Sequence, residues 1–143
     1  MKELLDRFVE LERSLSAEKG AFALFALLLR EDAGGGAGTS GYSGYSPKWD
    51  LVVAAPWIEA DRKAALTHIT KEIQDTFAPE ELSLLSRVVL VDLSNPAVDV
   101  MNQTVNIQHG HAEVRDINFS GLPIKHAYII TSQRVDANEE VPA

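Results

Sequence analysis

The sequence predicts an α+β domain, a mostly antiparallel sheet of about five strands packed by helices. Three observations carry this reading. Apolar residues recur at helical spacing in two stretches, one at the start of the chain and one after the second tryptophan. Three short apolar or β-branched runs are bounded by Gly, Pro, Asn or Ser. Two further strand-like runs flank a Ser-Gly pair near the end.

The elements follow in order. In the first helix, 2–15, Leu4, Phe8, Leu11 and Leu15 step by four, three and four and line one face. Glu3 and Arg7 have the spacing of an intrahelical ion pair. The run from Ala21 to Leu29 is short and continuously apolar, so periodicity alone does not separate strand from helix. Alanine and leucine favour helix; the run's shortness and Gly20 before it favour a central strand. It is taken as a strand, because Trp49 to Ala55, closed by Pro56, is a second one and the two read as a hairpin with a long tip. A helix there would leave four strands.

Residues 60–77 form the clearest helix, with an apolar stripe of Leu66, Ile69, Ile73 and Phe77 and with Asp61 in the first turn. Pro79-Glu80-Glu81 opens a short helix over 79–85, since proline and acids suit that end. Residues 87–93, Arg-Val-Val-Leu-Val-Asp-Leu, make a strand expected to be buried on both sides. Val98, Met101 and Val105 then mark a short helix. The last two strands flank Ser120-Gly121-Leu122 as a second hairpin. Val114 and Ile117 cannot share a face under strict alternation, which points to a bulge. The expected organisation is one domain over 1–134, a flexible Gly/Ser-rich loop at 33–47 and a frayed acidic tail at 135–143.

Composition narrows function. The chain has 143 residues, no cysteine and a net charge of −8. Disulfides and thiolate metal sites are thereby excluded, and a cytoplasmic protein is expected. The 13 Lys and Arg are scattered without a basic cluster, so neither nucleic acid nor an anionic membrane surface is an expected partner. The longest apolar run falls well short of the roughly 20 residues that span a bilayer.

The 33–47 loop contains Gly36-Ala37-Gly38-Thr39-Ser40-Gly41, the letters of a dinucleotide fingerprint. That motif works only where the loop turns directly into a helix whose free N–H groups receive the pyrophosphate. Here Gly41 runs on through Tyr42, Tyr45 and Pro47 into a strand, so no nucleotide and no other cofactor is expected. Tyr42 and Tyr45 instead suit an adaptable protein contact. The strand-to-helix junction between Trp49 and Trp57 is the candidate ligand region. His109-Gly110-His111, with Glu113, is a candidate facial metal set if this segment is extended. Glu31, Asp32 and Asp50 bracket the loop, but no lysine follows Asp50 on its strand as a restriction-type nuclease would require. No nucleophile elbow is present. The expected function is therefore a non-catalytic interaction or assembly module, binding another protein or a second copy as a homodimer. The alternative is a small ligand- or metal-binding enzyme or sensor using the Trp49–Trp57 region or His109/His111.

Overall fold

The computed structural model describes residues 2–30 and 49–135. They form an α+β domain around a five-stranded sheet. The chain runs α1 (Lys2–Lys19), β1 (Leu24–Arg30), β2 (Trp49–Ala54), α2 (Pro56–Ala60), α3 (Arg62–Thr76), α4 (Pro79–Leu82), β3 (Leu85–Leu90), α5 (Pro96–Thr104), β4 (Ala112–Phe119) and β5 (Leu122–Ser132). The sheet order is β3-β2-β1-β5-β4. All neighbours are antiparallel except β2 and β3, which are parallel.

The Ala21 run does become a strand, and β1 is the centre of the sheet. Its two faces feed two cores. Phe25, Leu27 and Leu29 pack on the first face with α1 and α3, where Phe8 lies 4.5 Å from Phe77 between ring centroids. Leu24, Ala26 and Leu28 pack on the second face, with Val98 and Met101 of α5. Burial on both faces is why the run shows no alternation.

Several elements depart from the sequence reading. The first helix continues to Lys19 and stops at Gly20, whose φ of 128° favours glycine. Arg7 pairs with Glu81 of α4, not with Glu3. The helix read as 60–77 is α3, Arg62–Thr76, and a further short helix, α2, precedes it at Pro56–Ala60. Asp61 stands between them as an N-cap, its carboxylate accepting from the Ala64 N–H at 3.1 Å. Ala65, Ile69, Ile73 and Phe77 are buried, whereas Leu66 is 39% exposed and leaves the stripe. The short helix ends at Leu82, because β3 already begins at Leu85.

β3 was expected at 87–93 and buried on both sides. It spans Leu85–Leu90 and lies at the sheet edge, with Ser86 and Arg87 exposed. The helical connection from β2 returns the chain to the same end of the sheet, so β3 adds in parallel and outermost.

The final hairpin turns on Ser120 at φ 54° and Gly121 at φ 84°. Two consecutive left-handed residues are the requirement of a tight two-residue hairpin turn. Val114 and Ile117 do join the same core, through a left-handed Asp116 at φ 54° and not through a slip against β5. The irregularities lie on the other side of β5, where the β1 pairing shifts between Phe25 and Ala26 and again between Leu29 and Arg30. The hairpin tip thereby brings Phe119 and Ile124 to the second core, while Tyr128 packs on the first.

Candidate functional site

The two sheet faces are covered unequally. Helices α1 and α3 both pack on the first. On the second, α5 packs over one end only, and the remainder forms a cleft of about 270 Å³. Its floor is Leu28, Val52 and Ile124, each buried, with Val89 and Phe119 as walls. The apolar floor is why a charge at its end is conspicuous. Asp50 of β2 is buried there, and its Oδ2 lies 3.4 Å from Nε of Arg87, its register partner on β3. Arg62, at the start of α3, forms the opposite rim. It contacts Asp92 Oδ1 at 2.5 Å and donates to the Leu90 carbonyl at 3.2 Å. The mouth thus carries two arginines and two aspartates above an aliphatic base.

A second groove, also about 270 Å³, runs between α5 and β4. Val100, Met101, Val114 and Ile117 line it, and Phe119 is the wall it shares with the cleft. Three large apolar residues are exposed among the described residues, and two are on these rims: Leu122 at 44% and Val100 at 58%. The two depressions meet at Phe119, and each has one exposed large apolar residue on its rim.

The residues singled out from sequence do not assemble into one site. Trp49 begins β2 and is buried, its ring 5.4 Å from those of His126 and Tyr128 on the first face. Trp57 lies in α2 beyond the other end of β2, packed edge-on against Phe22 at 5.6 Å. Neither lines the cleft or the groove. Ala54 and Ala55, at the junction between the two tryptophans, have no accessible surface.

His109, His111 and Glu113 also diverge. His109 Nδ1 lies 2.5 Å from Oε1 of Glu12, and its backbone N–H donates to Thr131 Oγ1 at 3.1 Å. His111 is exposed. Glu113 accepts from His126 Nε2 at 2.5 Å and from Arg115 Nη2 at 2.6 Å. The hydrogen bond from His126, with the Arg115 charge, holds its carboxyl below the usual glutamate range. Among the described residues no three His, Asp or Glu side chains are placed to hold a metal ion. His68 pairs with Glu18 of α1 at 3.2 Å. Tyr42, Tyr45, Gly36–Gly41, Glu31 and Asp32 lie outside the described residues.

Sequence reasoning missed the Glu12–His109 pair. Glu12 is fully buried, and a carboxylate there needs a partner. The signal was present on one side: Glu12 follows Phe8 by four residues and precedes Leu15 by three, so it interrupts the apolar stripe of α1. Its partner is 97 residues away and carries no such mark.

No helix among the described residues is long and apolar enough to cross a membrane. No family model matches the chain, and neither a curated protein nor a solved structure shows significant similarity to it.

Proposed function

We propose that this protein is a non-catalytic interaction module that binds another protein through the open end of its second sheet face. One observation carries the reading: the cleft and the groove meet on Phe119 and are rimmed by exposed Leu122 and Val100. Apolar depressions rimmed by exposed apolar side chains are unfavourable in water, and a partner that covers them removes that cost. The Arg62–Asp92 and Arg87–Asp50 pairs supply the polar rim that surrounds the apolar centre of most interfaces. The partner is a segment presenting large apolar side chains to either side of Phe119. The absence of cysteine suits a reducing compartment, and the reading assigns the module to the cytoplasm.

The test uses a displayed library of random peptides selected on the wild-type protein. Selected peptides are expected to be rich in large apolar residues. Their binding should weaken about tenfold or more with Leu122→Asp or Val100→Asp, since each contact removed is worth roughly 1.5 kcal/mol. Lys63→Glu, on exposed α3 surface, should leave binding unchanged. Selection of no binder, or binders indifferent to both apolar substitutions, contradicts the reading.

A further inference from the structure

The two edges of the sheet are guarded differently. β4 carries Glu113, Arg115 and Asp116, and the left-handed φ of Asp116 interrupts its extended form. Charges and irregularities of this kind are how edge strands avoid pairing with other chains. β3, Leu-Ser-Arg-Val-Val-Leu, has a single charge and no proline, and its φ angles are all negative. Among the described residues nothing pairs with its outer side.

The register fixes what that side offers. Val91 N–H donates to the Val53 carbonyl at 2.9 Å. In a parallel ladder the residues that bond to the neighbour alternate with those that do not. The backbone N–H and C=O of Val88, and the N–H of Leu90, therefore point away from β2. The Leu90 carbonyl is already held by Arg62.

A second feature stands beside the first. Leu66, the third exposed large apolar residue, is one turn after Arg62 on α3. Arg62 reaches Leu90 and Asp92, whereas His68, on the opposite flank of α3, reaches Glu18 of α1. Leu66 is thus on the flank of α3 that overhangs the β3 edge.

We infer that β3 pairs with β3 of a second copy of this chain, in antiparallel fashion about a two-fold axis at Val88, with α3 packing on its counterpart through Leu66. A single added peptide strand would satisfy the edge but leave Leu66 uncovered; a second copy brings its own α3 and covers both. The charges agree. With the axis at Val88, each Arg87 lies opposite the second copy's Val89, so the two arginines do not face one another. Val88 and its counterpart exchange two N–H···O=C bonds, the self-complementary pattern a two-fold contact requires. β3 also lines the cleft through Arg87, Val89 and Leu90, so the two contacts are neighbours; they are told apart because Leu66→Lys acts on the pairing of β3 whereas Val100→Asp acts on the groove beside α5.

Sedimentation of the full chain from micromolar to submillimolar concentration, with amide hydrogen exchange at both limits, tests this. The expected result is a monomer–dimer equilibrium in which Leu66→Lys, an exposed and fold-neutral change, raises Kd about tenfold or more. The Val88 amide should exchange freely in the dilute monomer and be protected in the dimer. A strict monomer over the whole range overturns the inference. So does a dimer that Leu66→Lys leaves unchanged and in which the Val88 amide exchanges freely.

Discussion

Phe119→Ala is the substitution that reads the openness of the second face from stability alone. Phe119 is nearly buried, so truncation removes most of a phenyl ring from the second core. In a closed core, a Phe→Ala change costs about 3–5 kcal/mol, part of it lost transfer energy and part a cavity the surroundings cannot fill. Phe119, however, separates two depressions. Removing it merges them into one solvent-filled trough, so the cavity contribution is small and mainly the transfer contribution remains. The expected loss is about 3 kcal/mol, the lower end of that range. Phe8 is the matched control. It has no exposed surface and contacts Phe25 and Phe77 inside the first core. Phe8→Ala should cost about 4–5 kcal/mol, because its cavity is closed on all sides. Urea unfolding followed by tryptophan fluorescence measures both, since Trp49 and Trp57 pack with the first core. The decisive quantity is the difference, about 1–2 kcal/mol in favour of Phe119→Ala being milder. Equal losses, or a larger one at Phe119, would mean that the second face is closed and the reasoning fails.

Three further outcomes are expected. His109→Ala leaves the Glu12 carboxylate buried without its partner and should cost about 3 kcal/mol in urea unfolding, most of which the Glu12→Leu/His109→Ala double variant recovers. The Glu113 carboxyl is held below its usual range, so in the unfolded chain it binds its proton at higher pH than in the folded one. Its contribution to stability is therefore complete above the ordinary glutamate range and is lost as pH falls through the lowered value; Glu113→Gln or His126→Ala should flatten that acid limb, as followed by NMR titration and unfolding. Gly121→Ala should cost about 1 kcal/mol or more through backbone conformation alone: φ is 84°, yet nothing lies within 4 Å of the position a Cβ would take, so the loss should not grow for Gly121→Ser.

The parts of the fold legible in sequence are those set by local chemistry. The stripe of α1 and the Ser120-Gly121 turn each state their own conformation, whereas the apolar run of β1 reads as a strand only beside its hairpin partner, Trp49 to Ala55. What sequence left open are relations between distant segments. β3 reads as a buried strand because its apolar residues do meet helices and neighbours at one end, but hydrophobicity does not say whether a further strand lies beside it. Leu66 has the spacing of the expected stripe, but the buried side of α3 runs through Ala65, Ile69 and Ile73 and leaves Leu66 exposed. The candidate site was largely illegible for the same reason. In sequence Asp50 reads only as an acid bracketing the loop, and Arg87, Phe119 and Leu122 join it only when the hairpin tip turns toward β2 and β3. The His109-Gly110-His111 spacing suggested convergence that a left-handed His109, at φ 54°, does not permit. Glu12 claims one of those histidines from across the fold.

The most direct measurement is an NMR titration of the isotopically labelled protein with a peptide selected on it, following the methyl and aromatic signals. The shifts should concentrate on Leu122, Val100, Ile117 and Phe119, with Leu4, Leu15 and Ile73 of the first core unmoved. Shifts confined to the α1–α3 side, or spread evenly over both faces, would contradict the assignment of the second sheet face as the surface through which this protein acts.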